Sequence, residues 1–227
     1  MDVEEAGAAA QPDNSETEKA SLRAHFRALR KAMRPAERAA LSEAACAHLS
    51  SADVWKKAQS VALYMAARGE ADCLPLLKQA LAEGKKVLLP LCLDPERDNR
   101  MSLVPCANLE SLRVGAFGIL EPPAPQGSRQ SFGQPDLLLA PGLAFDRQGF
   151  RLGQGGGFYD RLLSESALDA TLCIGFAYSF QIVEQAPRAP WDRPTHALCT
   201  DKGLFWVDQT APLTGLKPGT ENIKDGM

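Results

Sequence analysis

The residues best suited to chemistry lie between positions 141 and 161, in the run PGLAFDRQGFRLGQGGGFYDR. Gly153, Gly155, Gly156 and Gly157 crowd together there, just ahead of an expected helix. Glycine reaches positive φ without steric cost and lets the backbone approach a ligand closely. Backbone N–H groups and the positive end of a helix then suit an anion such as phosphate. Arg151 adds a permanent charge in a planar fork that matches phosphate oxygens. Asp160 is an oxygen ligand of the kind Mg²⁺ takes on nucleotide phosphates, where one or two carboxylates suffice. The run contains no GxxxxGK[ST], and GxGxxG fails because Phe158 stands where the last glycine belongs. A glycine-rich turn used only for tight packing is the competing role.

These residues need a scaffold, and the composition supplies an ordinary globular one. The chain has 227 residues, 45% hydrophobic and 23% charged, which excludes a disordered chain, a collagen-like fibre and a small disulfide scaffold. Net charge is −3. Six acids and no base lie in residues 1–18, so the remainder is +3 (25 basic minus 22 acidic). That balance argues against a nucleic-acid binder. No apolar run approaches the roughly 20 residues of a membrane helix. The acidic N-terminus lacks the basic start and apolar core of a signal peptide. A cytoplasmic protein is expected. Cys46, Cys73, Cys92, Cys106, Cys173 and Cys199 form no CxxC, and with His25, His48 and His196 no zinc spacing arises. The cysteines read as buried apolar residues in a reducing compartment, with Cys73 and Cys106 the expected exposed pair.

Residues 1–14 read as an acidic tail, 15–207 as a single domain and 208–227 as a loose tail. Ser15 and Glu18 have capping-box spacing for a helix start. Leu22, Phe26, Leu29 and Met33 give that helix an apolar face, and Lys19, Arg23, Arg27, Arg30 and Lys31 read as its solvated opposite face. Pro35 opens a second helix to about residue 49. Apolar runs at 60–65, 86–90, 136–140, 171–176 and 197–200 read as strands, with 101–105 an added one. Helices are expected over 72–83 and 156–168, and loop over 117–135. Strand, helix and strand over 60–90 form a βαβ unit with parallel strands and a right-handed crossover. The expected fold is a three-layer α/β sandwich, Rossmann-like, with a mainly parallel sheet and N-terminal helices. Ligands on such sheets sit outside the C-terminal strand ends, where the glycine run falls.

RLGQGGGFYDR, residues 151–161, resembles the glycine signature of 5-formyltetrahydrofolate cyclo-ligases, also called 5,10-methenyltetrahydrofolate synthetases. The resemblance runs over about residues 19–203. Lys19, Ala20, Ser21, Leu22 and Arg23 look like the family's N-terminal KxxLR. Tyr64 and Met65 through Glu70 look like its strand ending in a loop glutamate. DLLLAPGLAFD, residues 136–146, fits the strand that enters the glycine loop. GFAY at 175–178, then Gln181 and Asp192, fits the closing segment.

The resemblance implies ATP-driven cyclisation of 5-formyltetrahydrofolate to 5,10-methenyltetrahydrofolate, with ADP and phosphate released through a phosphorylated formyl group. Phosphoryl transfer rests on positioning and charge neutralisation, in keeping with a chain that shows no Ser/His/Asp or Cys/His constellation. By the same resemblance residues 19–23 and 151–159 bind ATP: Lys19, Ala20, Ser21, Leu22, Arg23, Arg151, Leu152, Gly153, Gln154, Gly155, Gly156, Gly157, Phe158 and Tyr159. Arg151 and Tyr159 are implied to be catalytic. Arg23, Met65, Glu70, Phe117 and residues 154–158 would bind the folate, and Asp160 and Asp192 would hold Mg²⁺. Lys19 and Arg23 thereby leave the solvated face, whereas Arg27, Arg30 and Lys31 stay on it. Gln154 departs from the tyrosine or arginine common in relatives, Phe158 from a tyrosine, and Gly156 from a lysine of some animal members. The expected partners are the small molecules ATP and 5-formyltetrahydrofolate, with no nucleic acid or membrane, on a monomer. A non-catalytic folate- or nucleotide-binding homologue, or an ATP-dependent enzyme with another acceptor, is the alternative.

Overall fold

A computed structural model describes residues 14–94, 99–124, 134–189 and 191–207. The expected acidic tail lies outside them apart from Asn14, and the expected C-terminal tail lies outside them entirely. The chain opens with helices α1 (Asn14–Ala32), α2 (Pro35–Ser51) and α3 (Asp53–Lys57). Strand β1 (Ser60–Ala62), helix α4 (Leu74–Ala82) and strands β2 (Lys86–Asp94) and β3 (Arg100–Pro105) follow. Then come the hairpin β4 (Arg113–Val114) and β5 (Leu120–Glu121), and strands β6 (Leu137–Ala140), β7 (Ala144–Asp146) and β8 (Arg151–Leu152). Helix α5 (Phe158–Leu163) precedes β9 (Leu172–Phe176), β10 (Ile182–Val183), β11 (Ala197–Thr200) and β12 (Gly203–Trp206).

Seven strands form the main sheet in the order β12-β11-β9-β6-β1-β2-β3. The five inner strands are parallel, and β3 and β12 pair antiparallel at the edges. Alternate residues explain why the inner strands read as unbroken apolar runs, since both faces are covered. Val61, Leu137, Leu139, Leu172 and Ile174 pack with α2, α3 and α4. Ala62, Leu138, Ala140 and Cys173 pack with Leu162 of α5 on the other face. Fully burying a leucine such as Leu139 contributes roughly 1.5–3 kcal/mol over leaving it exposed. The result is the expected three-layer α/β arrangement.

A second sheet, in the order β10-β7-β8, carries the glycine run. Asp146 anchors its turn. The buried carboxylate accepts from the backbone N–H groups of Gln148, Phe150 and Ala186, and Arg188 donates to it at 3.2 Å. Leu22 and Phe26 of α1 pack on this sheet against Leu143, Ala144 and Leu152.

Several expectations need correction. Asn14 is already helical, so Ser15 lies inside α1 and is not its cap. Leu29 is exposed, because α1 turns the face of Phe26 and Arg30 inward instead. The helix expected over 156–168 is only the six-residue α5, followed by a separate 3₁₀ turn at Ser166–Leu168. Cys73 and Cys106 are buried, and Cys92 is the one partly exposed thiol of the six. No helix among the described residues is long and apolar enough to cross a membrane.

Candidate active site

The chain runs from β1 outward to β2, then returns to the other side of β1 to lay down β6 and continues to β9 and β11. The strand order therefore reverses between β1 and β6. Loops leaving the C-terminal ends of neighbouring strands diverge there and leave a crevice. A cavity of about 380 Å³ occupies that crevice. Tyr64, Met65, Arg68 and Glu70 line it from the segment after β1, and Pro141 and Gly142 from the segment after β6. Arg151, Gly153, Gln154, Gly156, Gly157, Phe158, Tyr159 and Asp160 close one side, and Phe117 and Glu121 of the hairpin region close another.

The glycine loop is shaped by left-handed backbone at two positions. Gly155 has φ +104° and Gly157, the residue before α5, has φ +69°. Helix α1 grips this loop. Arg23 Nε donates to the Gly153 carbonyl at 3.2 Å. Arg27 donates from Nε to Gln154 Oε1 at 3.0 Å and from Nη2 to the Gln154 carbonyl at 2.9 Å. Arg151 spans the base of the loop. It donates to the Asp160 carboxylate and to the Pro141 carbonyl, and its guanidinium lies 5.3 Å from the centre of the Tyr159 ring. Burial, and secondarily Glu70, push the Tyr159 phenol well above the ordinary tyrosine range, so it stays neutral.

The opposite wall is built on a tight turn. Arg68 (φ 50°) and Gly69 (φ 75°) are both left-handed, and Glu70 closes the turn by donating its N–H to the Ala67 carbonyl. Glu70 Oε2 accepts from Ala67 N–H at 3.1 Å, and its side chain is 14% exposed. Arg30 Nη1 lies 3.9 Å from Glu70 Oε1. Burial pushes the Glu70 carboxyl above the usual range, and the charge of Arg30 works against that rise. A carboxylate on one wall and a cation-gripped glycine loop on the other suit a ligand with a donor-rich end and an anionic partner beside it.

A sequence model of the 5-formyltetrahydrofolate cyclo-ligase family matches residues 15–201. The chain belongs to the 5-formyltetrahydrofolate cyclo-ligase family. It is 32% identical over 180 residues to the Escherichia coli 5-formyltetrahydrofolate cyclo-ligase, covering 79% of this chain and 98% of that relative. The mitochondrial 5-formyltetrahydrofolate cyclo-ligase of Arabidopsis thaliana is 31% identical, over 86% of this chain and 78% of its own length. The solved Aquifex aeolicus 5,10-methenyltetrahydrofolate synthetase superposes with a TM-score of 0.72 at 38% identity, covering 86% and 95% of the two chains. This family member is thus an enzyme, a ligase of folate metabolism, and its mainly parallel sheet is the fold of that synthetase.

Of the residues that the family resemblance singled out, the fold brings Met65, Glu70, Phe117, Arg151, Gly153, Gln154, Gly156, Gly157, Phe158, Tyr159 and Asp160 around one cavity. Phe117 stands 55% exposed at the rim, edge-to-face with Phe158 at 5.7 Å. Arg23 and Gly155 meet behind the loop. Lys19 is buried and 3.8 Å from Glu16, outside the cavity lining. Ala20 and Ser21 are exposed, while Leu22 packs on the small sheet against Leu152 of β8. Asp192 is held by Ala189, whose N–H donates to its Oδ2 at 2.7 Å. It lines neither this cavity nor a second one of about 540 Å³, which Asp160 and Trp191 share.

Of the arginines expected on a solvated face, Arg27 is exposed as expected but reaches the glycine loop, whereas Arg30 is buried. Arg27 clamps Gln154, and Arg30 is 2% exposed beneath Glu70. The spacing held a signal: Lys19, Arg23, Phe26 and Arg30 repeat at four, three and four residues, a single helical face with Phe26 in its middle. Glu121 also lines the cavity, buried, with the Cys92 N–H 3.4 Å from its Oε1. Its segment shows no periodicity, so nothing in the sequence marked it.

Proposed function

We propose that this enzyme closes 5-formyltetrahydrofolate to 5,10-methenyltetrahydrofolate at the expense of ATP, in the cavity between Glu70 and the glycine loop. The observation that carries this reading is that Glu70 and the Arg151 loop line one and the same crevice. Glu70 accepts from the amino and ring N–H groups of the pterin, a donor-rich edge that a carboxylate matches. Met65 packs against the same ring, with Phe117 at the rim. Arg151 and the backbone of residues 153–157 receive the polyphosphate, with Lys19 and Arg23 contributing from α1.

The formamide oxygen is a poor leaving group. Transfer of the γ-phosphoryl group onto it releases ADP and leaves an imidoyl phosphate. The amine at position 10 attacks the formyl carbon, its proton leaves, and the carbon–oxygen bond breaks to free phosphate. Arg151 stabilises charge on the oxygens of the transferring group. The neutral Tyr159 phenol beside it is a hydrogen-bond donor to the same oxygens.

Asp160 fits a hard cation, since its carboxylate is 28% exposed between the two cavities and offers oxygen donors. Mg²⁺ there would neutralise the polyphosphate; Asp192, the other carboxylate that the resemblance singles out, lines neither cavity and would have to leave the Ala189 N–H to join it. Six cysteines without a disulfide suit a reducing, cytoplasmic setting, and we take the working unit to be a monomer.

The test is to mix the purified chain with 5-formyltetrahydrofolate and MgATP and follow the near-ultraviolet absorbance of the methenyl product. Growth that requires both ATP and Mg²⁺ is the expected result. Bound folate without ATP consumption would overturn catalysis by this site.

A further inference from the structure

The guanidinium of Arg30 sits where three pieces of the site meet. Its side chain is 2% exposed, and its Nη1 faces Glu70 Oε1 at 3.9 Å. Its Nη2 donates to the carbonyl of Gly142, which also accepts from Gln181 Nε2 at 2.9 Å. A Cβ built on Gly69 would lie 3.3 Å from Arg30 Cβ, so the Glu70 turn packs on the arginine at a distance only glycine allows comfortably. Gly69 also has φ +75°, which disfavours any side chain there. Arg30 therefore joins the turn after β1 to the segment after β6, the two pieces that flank the reversal of strand order.

Such burial is costly. Nε and Nη1 of Arg30 have no hydrogen-bond partner among the described residues. Replacing a buried ion pair with apolar side chains is often neutral or stabilising, so fold stability alone is a weak reason to place a guanidinium here. Its placement makes sense if the position and charge of Glu70 must be fixed.

We propose that Arg30 is a positioning residue for folate: it pins the Glu70 turn against the Gly142 segment so that the carboxylate meets the donor edge of the pterin. Arg30 acts through Glu70 and Gly142 and touches neither substrate nor ATP. The inference rests on the assignment of Glu70 to the pterin.

The experiment compares Arg30→Lys, Arg30→Met, Glu70→Gln and the double variant Arg30→Met/Glu70→Gln, with separate KM values for 5-formyltetrahydrofolate and ATP. Arg30→Met should raise the folate KM about 10- to 100-fold, the range for a lost charge-assisted contact, and leave the ATP KM within about threefold. Arg30→Lys should recover part of that loss, because it keeps the charge but not the fork. In the Glu70→Gln background, Arg30→Met should add little. Gly69→Ala pushes the turn off Arg30 without touching a charge, and should reproduce the folate-selective rise. If Arg30→Met does not fold, Arg30→Lys and Gly69→Ala carry the test.

Equal losses on folate and ATP, additive losses in the double variant, or an unchanged folate KM in both Arg30→Lys and Gly69→Ala would overturn the proposal. An active Glu70→Gln variant with unchanged folate KM would instead overturn the assignment of Glu70 itself.

Discussion

Arg27 holds Gln154 by both its side-chain oxygen and its carbonyl, at 3.0 and 2.9 Å. The glycine loop is thereby tied to α1 through Gln154. A loop with left-handed residues at 155 and 157 has many accessible conformations, and the clamp removes some of them before ATP arrives. Arg27→Ala should raise the ATP KM by about 3- to 10-fold, the worth of one or two surface hydrogen bonds, with kcat little changed. Gln154→Ala loses the side-chain bond but keeps the carbonyl, so its effect should be smaller. Steady-state kinetics at saturating folate would show both, and an Arg27→Ala enzyme with unaltered ATP KM would make the contact incidental.

Arg151 donates to Asp160 while nearly all of its side chain is out of solvent, at 4% exposure. The pair keeps the guanidinium aimed across the base of the loop. Lysine keeps the charge but has no planar fork, so it cannot hold Asp160 and a phosphoryl oxygen in the same geometry. Arg151→Lys should lower kcat by about 100-fold or more, as for loss of a donor aimed at developing charge. Loss confined to KM would mean that Arg151 binds ATP without assisting transfer.

Glu70 gives the expected pH dependence. Burial raises its proton affinity, so the carboxylate proposed to meet the pterin is lost at a higher pH than an exposed glutamate would be. The groups facing it are Arg30, Arg68, Tyr64, Tyr159 and the hydroxyl of Tyr178, which donates to its carbonyl. As pH falls through that raised value, kcat/KM for 5-formyltetrahydrofolate should fall, with the ATP KM less affected. Glu70→Gln should remove this acidic limb along with most of the folate affinity. A limb that persists in Glu70→Gln would belong to another group.

The parts of the molecule legible in the sequence were those with one dominant physical cause. β6 and β9 are covered on both faces, so LLLA and LCIGF read as strands without any alternation. The glycine loop is legible because its residues match the family's glycine signature in order, where spacing alone leaves a packing turn as a competing role. β7, β8 and β10 escape a reading of the sequence because strands of two or three residues show no period, and β7 and β8 lie within the run that carries the glycines. β12 follows β11 through a tight turn and pairs antiparallel, which a reading built on parallel units does not anticipate. Arg30 was misplaced for a different reason. Charge on a helix normally marks the solvent face, and only the fold shows that Glu70 and Gly142 receive this cation under the sheet ends.

Gly175 tests how tightly the small sheet is packed on the main core. It lies in β9, where a Cβ would fall 2.6 Å from Phe145 Cε1 and 2.8 Å from Leu198 Cδ2. Phe145 is fully buried and joins β7 of the small sheet to the main core, so it has little room to retreat. Gly175→Ala should destabilise the fold by about 1–3 kcal/mol through overpacking. Chemical denaturation would read this as a lower midpoint at unchanged slope. A neutral result would mean that the ring of Phe145 swings aside at no cost.

Cys92 offers a probe of the cavity that needs no mutation. It is the one thiol of the six that is not buried, and it lines the cavity together with Glu121. Burial, with Glu121 nearby, pushes its pKa up to about 11. Only the thiolate reacts, so alkylation by iodoacetamide near neutral pH should be slow and should quicken about tenfold per pH unit below that value. Between pH 7 and 9 the modified peptide should be the one containing Cys92. With the folate in this cavity, as proposed, saturating 5-formyltetrahydrofolate should slow the modification, whereas an alkylated enzyme should bind folate poorly and keep ATP. Labelling of Cys92 that is indifferent to 5-formyltetrahydrofolate would place the folate away from this wall and would break the link between the cavity and the reaction.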